Sequence, residues 1–250
     1  MSYVNVSYKG NSISQFSEGS KILETSGKYC EDNIQVAIQQ SQNDILFHFD
    51  ENMLNFGKSP AMLTNITGME LSTTQHKFGS KSLRLNGTQI RNNLTILSDL
   101  IFGSRDFTID FWVYPENLSS YDSQTPITPF SGTYRSLTVF MYTDRIGLSV
   151  TSINSSWSYQ EFSGTVILNN DTWSHIAIVR SGSKIYLFLN GVKEIEINYG
   201  TGNIADPSPF TLGNNANNAN KLTGYIDEFR YIKGSAIWTD DFTPPTEPYV

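Results

Sequence analysis

The sequence predicts an all-β protein, a two-sheet antiparallel sandwich preceded by a small β-rich N-terminal module. Three observations carry this. Apolar and polar residues alternate through short segments such as FTIDFWVYP at 107–115 and the long run IAIVRSGSKIYLFLNGV at 176–192; a period of two turns one strand face inward and the other outward. Turn residues punctuate these segments, above all Asn190-Gly191, because both central residues of a type I′ turn need positive φ. No segment shows a convincing amphipathic helical period.

Taken in order, residues 3–8 alternate like a strand, 9–12 form a turn, and 34–38 form another alternating run. Residues 1–40 are therefore read as a separate module that leans on a partner or on copies of itself, since so short a piece buries little surface alone. The polar stretch 39–43 marks the boundary, and residues 41–250 make the main domain. ILFHFD at 45–50 opens it, residues 79–85 supply a second strand, and Pro115 closes a long strand whose Phe107, Ile109, Phe111 and Val113 share one face. Residues 135–143 and 145–152 read as a hairpin with its tip at 143–144, and 157–162 as a shorter strand. The pair 173–180 and 185–189 returns through Asn190-Gly191 to a strand at 192–197. A strand ending at 210–213 is followed by NNANNAN at 214–220, a polar loop or a hydrogen-bonding rim.

The segment KLTGYIDEFRYIKGSAIW at 221–238 reads as the closing strand, with a packed face and the carboxylate pair Asp227 and Glu228. Buried carboxylates are costly, so this pair must reach solvent, a cation or backbone donors. A Pro-rich tail at 240–248 reads as an extended strap.

Composition excludes several functions. A formal charge of −7 and no basic run argue against a nucleic-acid surface. No apolar run of membrane-spanning length occurs, and the first residues lack the pattern of a secretion signal, which points to synthesis in a cytoplasm without membrane insertion. The single Cys30 excludes an intramolecular disulfide and reads as a small buried apolar residue. Gly57-Lys58-Ser59 mimics the end of a phosphate loop, but Asn52 stands where the first glycine is required.

Together, ILFHFDEN, FGSKSLRLNG, FTIDFWVYP, WSHIAIVRSGSKIYLFLNGV, FTLGN and GYIDEFRYIKGSAIWTDDFTPP resemble, in order, the motifs of a laminin G-like, concanavalin A-like jelly roll over residues 45–249. The closing motif with its F-T-P-P strap is similar to versions of this domain from tailed bacteriophages, and SKILETSGKYC at 20–30 resembles N-terminal segments of phage structural proteins. The resemblance implies two antiparallel sheets, rim loops that bind carbohydrate or protein, and a structural calcium ion (Ca2+) whose ligands fall at Asp50 and Asp227. The alternative for Asp227 is a hydrogen-bonding role on neighbouring backbone, with Glu228 or Asp50 left in solvent.

For glycan binding, an exposed ring that stacks on a sugar, flanked by hydrogen-bonding groups, selects Tyr134, Arg135, Asn154, Trp157 and Tyr159; Trp112 and Trp173 fall in core strands. No catalytic residues are expected. The carboxylate spacing of a glycanase is missing, Glu194 and Glu196 read as surface groups, and His48, His76 and His175 make no metal motif. His175, in an apolar strand, reads as a hydrogen-bonded structural residue.

The expected function is a non-enzymatic phage virion protein: a head fibre, decoration or tail-associated component. Residues 1–40 attach it to other virion proteins, it forms a homo-oligomer there, and the jelly roll binds host-surface or mucus glycans. The alternatives are a virion decoration that binds no sugar and a carbohydrate-active enzyme.

Overall fold

The computed structural model divides the chain into two units, Met1–Ser41 and Gln42–Val250. It describes residues 6–8 and 11–13 of the first, and residues 43–59, 61–64, 66–89, 93–96, 102–131, 134–135, 137–151, 159–204, 210–214 and 219–250 of the second. Every regular element among these is a strand.

In the first unit, β1 (Val6–Tyr8) and β2 (Asn11–Ile13) pair antiparallel, with Val6 opposite Ile13 and Tyr8 opposite Asn11. The expected strand at 34–38 and Cys30 lie outside the described residues.

The second unit contains β3 (Ile45–Phe47), β4 (Ala61–Thr64), β5 (Met69–Ser72), β6 (Ser82–Asn86), β7 (Asn93–Ile96), β8 (Phe107–Pro115), β9 (Ile127–Ser131) and β10 (Tyr134–Arg135). After them come β11 (Leu137–Met141), β12 (Ile146–Thr151), β13 (Tyr159–Ser163), β14 (Ser174–Ser181), β15 (Lys184–Leu189), β16 (Val192–Asn198), β17 (Phe210–Leu212) and β18 (Thr223–Lys233). The eight-stranded sheet runs β16-β15-β14-β8-β18-β6-β5, with β3 also on β18. The other layer consists of a five-stranded sheet, β10-β9-β17-β7-β4, and a three-stranded sheet, β11-β12-β13. The architecture is an all-β, concanavalin A-like jelly-roll sandwich.

Alternation builds the core. Phe107, Ile109, Phe111 and Val113 of β8 face inward with Ile176 and Ile178 of β14, Ile185 and Leu187 of β15, and Leu137, Val139, Leu148 and Val150 from the opposing layer. The Asn190-Gly191 turn forms as expected, with φ of 50° and 80°.

The other face of the large sheet is also buried. Thr108, Asp110, His175, Ala177, Val179 and Phe188 have relative exposures of 0%. Residues 235–250 cross this face as an irregular strap, which explains why alternation in β8 does not become alternation in burial. Thr108 Oγ1 donates to Ser235 O at 2.9 Å, and Trp238 stacks on Phe242 at 3.9 Å between ring centroids over Ala177, Val179, Tyr186 and Phe188. Gly191 is needed where the strap lands: a Cβ there would lie 1.8 Å from Phe242 O.

The strand β18 holds the sheet together. One edge pairs along its length with β8, while the other is divided between β6 (Thr223–Ile226) and β3 (Phe229–Tyr231). Between Asp227 and Arg230 its register against β8 slips by one residue, and Glu228 takes a φ of 49°. This bulge points both acidic side chains away from an ordinary ladder position and into contacts with other segments.

Candidate functional site

Three polar constellations could carry chemistry. The first surrounds the bulge. Asp227 is 1% exposed; its Oδ2 accepts from the backbone N–H groups of Lys77 (2.8 Å) and Phe78 (3.2 Å), and its Oδ1 from that of Glu228 (2.9 Å). Asp50 Oδ1 accepts from Ser80 N (2.6 Å) and Lys81 N (3.2 Å). The two aspartates therefore grip one loop, 77–81, from two sides. Burial pushes the Asp227 carboxyl up to about 7 despite its three N–H donors.

This donor set does not fit a calcium ion. Calcium needs six to eight oxygens, whereas these carboxylates already face N–H donors, and no group of three or more His, Cys, Asp or Glu side chains is placed to hold a metal among the described residues. The backbone alternative for Asp227 accounts for its contacts.

Of Glu228 and Asp50, one of which the alternative reading left in solvent, Glu228 is buried. At 1% exposure, its Oε1 meets His48 Nδ1 at 2.7 Å and its Oε2 accepts Tyr249 N at 3.0 Å. Burial lowers the His48 pKa, but the hydrogen bond and charge of Glu228 outweigh it, leaving the imidazole above its ordinary value.

The second constellation lies under the strap. Arg230 donates from Nε and Nη2 to the two oxygens of Asp110 at 2.8 and 3.1 Å, His175 Nε2 lies 3.1 Å from Oδ2, and the Tyr249 hydroxyl donates to the same oxygen. Burial alone would raise the Asp110 pKa; Arg230 and His175 reverse this and hold it below the ordinary carboxylate value. His175 is the hydrogen-bonded structural histidine that its apolar strand implied. With Asp110 and His175 fully buried and Arg230 and Tyr249 partly exposed, this set fastens the strap to the sheet.

The third constellation is open. A cleft of about 440 Å³ is lined by Asn117, Ser119, Asp122, Ser123, Gln124, Ala219, Asn220 and Lys221. One wall is the loop after β8, anchored by buried Leu118, whose N–H donates to Asn170 Oδ1 at 2.7 Å. The other is the loop before β18, where Asn220 Nδ2 donates to Ser123 O (3.1 Å) and Oγ (2.7 Å), and Asn220 O accepts Thr125 N (2.8 Å). Asn117 and Asn220 both take positive φ, 57° and 53°, a conformation that asparagine tolerates better than most residues. The Ser119 hydroxyl accepts the N–H groups of Tyr121 (3.1 Å) and Asp122 (2.8 Å), fixing a tight turn. That turn leaves Tyr121 at 92% exposure, the most exposed large apolar side chain among the described residues.

The cleft was only partly foreshadowed. NNANNAN supplies Ala219 and Asn220 to it, while residues 215–218 lie outside the described residues. Tyr121 was missed, although SSYDS at 119–123 has the turn-forming serines that would expose a ring. Of the expected glycan residues, Tyr134 and Arg135 fall in β10 and Tyr159 opens β13 opposite Thr151; Asn154 and Trp157 lie outside the described residues. Trp112 is 5% exposed, with Lys77 Nζ 3.8 Å from the centre of its ring. Trp173, half-buried, packs on Tyr114 at 5.5 Å.

The acidic doublet on β16 is committed elsewhere. Glu194 Oε2 accepts Thr165 N and Val166 N at 3.2 and 3.3 Å, and Glu196 pairs with Lys184 and Lys193.

Comparison with known proteins agrees with this architecture. Residues 87–236 match the family described as the concanavalin A-like lectin/glucanases superfamily. No curated protein matches the sequence. Among solved structures, the binding domain of Paraclostridial Mosquitocidal Protein 1 superposes with a TM-score of 0.59 at 16% identity, covering 80% of this chain and 51% of that one. Domain 4 of AbnA, a GH43 extracellular arabinanase from Geobacillus stearothermophilus, solved with arabinotriose, gives 0.58 at 18% identity, covering 79% and 95%. The ligand binding domain of botulinum neurotoxin serotype D, solved with N-acetylneuraminic acid, gives 0.63 at 10% identity, covering 79% and 48%. The chain thus spans about half the length of the toxin structures. At these identities the likeness is one of fold.

Proposed function

Because the chain belongs to the concanavalin A-like lectin/glucanases superfamily, we propose that it is a non-catalytic carbohydrate-binding protein, with its sugar site at the cleft beside Tyr121. The observation that carries this is an aromatic ring at 92% exposure on Tyr121, in the same turn as Ser119 and Asp122, which line a polar cleft with Asn117 and Lys221. A tyrosine face offers the apolar side of a sugar a stacking surface, and the cleft supplies donors and acceptors for its hydroxyls. Two structural relatives were solved with sugars, arabinotriose and N-acetylneuraminic acid.

The setting we propose is a tailed-phage virion, with the protein made in the bacterial cytoplasm and assembled there into an oligomer. Residues 1–40 attach to other virion proteins, and the jelly roll faces host-surface or mucus glycans. The phage-like closing motif and leader support this, as does the division into a small unit and a large one. Many weak sites on one particle bind through effective concentration, so a shallow cleft suffices.

A glycan array probed with the full chain tests the binding. We expect retention of at least one oligosaccharide, lost by tenfold or more in Tyr121→Ala with an unchanged melting midpoint; silence across microbial and mucin glycans would refute it. Mass spectrometry of purified particles tests the setting, and absence of the chain would remove the virion role.

A further inference from the structure

We infer that the cleft selects a neutral sugar bearing a vicinal diol, rather than an acidic glycan. This rests on the carbohydrate-binding reading above and specifies its ligand class. Polar groups in the cleft differ in how far the fold has already used them. Gln124 is consumed: its Nε2 donates to Glu116 O (2.8 Å) and Asn117 O (3.2 Å), and its Oε1 accepts Thr223 N (3.1 Å). Ser123 is buried and receives the Asn220 amide, while Ser119 serves its own turn. Asp122 and Asn117 are exposed, and Lys221 is half-buried.

Asp122 and Lys221 are complementary in kind as well as charge. An ionised carboxylate only accepts hydrogen bonds and an ammonium only donates them. Adjacent sugar hydroxyls satisfy both at once, one donating to Asp122 and its neighbour accepting from Lys221. A carboxylate on the sugar would gain from Lys221 and lose to Asp122.

A neighbouring arginine is already paired. The turn joining β11 to β12 packs beside the cleft, with Thr143 N donating to Ser119 O at 3.1 Å. Its one cation, Arg145, pairs with Asp144 at 2.8 Å and lies 3.8 Å from the centre of the Tyr142 ring. The planar fork best suited to a sugar carboxylate is therefore already engaged. The charged residues lining the cleft are Asp122 and Lys221, one of each sign, on a chain whose formal charge of −7 repels anionic polymers at a distance.

The test measures binding of the full chain to matched neutral and carboxylate-bearing oligosaccharides at about 20 and about 500 mM NaCl, for the natural protein and for Tyr121→Ala, Asp122→Asn and Lys221→Met. The inference expects the neutral series to bind more tightly, with affinity changing by less than about twofold across salt because no net charge is neutralised. Asp122→Asn and Lys221→Met should each cost roughly tenfold, the scale of one lost charge-assisted hydrogen bond. Preference for the acidic series, with loss of about tenfold or more at high salt, overturns it; if Tyr121→Ala then abolishes that binding, the cleft remains the sugar site and only its ligand class is wrong. Binding of neutral sugar indifferent to both charge substitutions also overturns it. Sugar binding unaffected by Tyr121→Ala removes the site and the inference together.

Discussion

Arg230 and Asp110 face each other across the β8–β18 pair, and the guanidinium spans the carboxylate with Nε on Oδ1 at 2.8 Å and Nη2 on Oδ2 at 3.1 Å. Asp110 is fully buried and also serves His175 and Tyr249, so it is an ion held by three partners from three segments. Removing Arg230 leaves the anion in a dry site. Arg230→Met should therefore destabilise the domain by about 3–5 kcal/mol, the cost of an uncompensated buried charge, read as a shifted urea midpoint. The double change Arg230→Met with Asp110→Leu should recover part of the loss; equal destabilisation by single and double variants would contradict the ion-pair account.

Stability should rise on mild acidification. Asp227, raised by burial to about 7, and His48, raised net by Glu228 against its burial, both bind protons more tightly folded than unfolded. Each contribution is fully present below the unfolded pKa and is lost as pH climbs through the folded one, so the midpoint should increase from pH 8 to about 5. Asp110 has the opposite sign: held below its ordinary value, it contributes above about 3.8 and is lost as pH falls through its folded pKa. Thermal melts from pH 3 to 8 should show a maximum on the acid side, and His48→Gln should flatten the slope near neutrality. A flat profile from pH 5 to 8 would count against both assignments.

The strap should act as part of the fold. Phe242 stacks on Trp238, meets Phe188 at 5.3 Å, and its N–H donates to Gly191 O at 2.9 Å. Phe242 is partly buried, so Phe242→Ala should cost about 2–3 kcal/mol, less than truncating a fully buried phenylalanine. Gly191→Ala should be disproportionately harmful, because its Cβ meets Phe242 O at a φ of 80°. Hydrogen exchange should show both changes freeing amides of 235–250 while the ladder between β11 and β12 keeps its protection.

Much of this fold is legible in the sequence because strand alternation and turn residues are local signals. FTIDFWVYP forms β8 with the bounds its pattern gave, and Asn190-Gly191 forms the expected turn. Strands β4 and β5 were not anticipated: AMLT and MELS are four residues long, too short to display a period. The burial of Asp110 and Glu228 was equally hidden, since it depends on Tyr249 returning 139 and 21 residues later to cover them. The cleft needs two loops about 100 residues apart, and only the Asn-rich one was conspicuous in the sequence; Tyr121 stands out only once its turn is built.

The grip of Asp50 and Asp227 on the 77–81 loop should be independent of metal. Both carboxylates are satisfied by backbone N–H groups, four on residues 77, 78, 80 and 81 and one on Glu228. A chelator should therefore leave the melting midpoint unchanged, and added calcium should not raise it. Asp50→Ala should still destabilise, by about 1–3 kcal/mol, since two charge-assisted hydrogen bonds disappear, and its effect should be the same with and without chelator. Gly79 sharpens the test: a Cβ there would lie 2.0 Å from Asp50 Oδ1 at a φ of 57°, so Gly79→Ala must displace the same carboxylate. A midpoint that falls on chelation, and falls less in Asp50→Ala, would instead assign these aspartates to a cation.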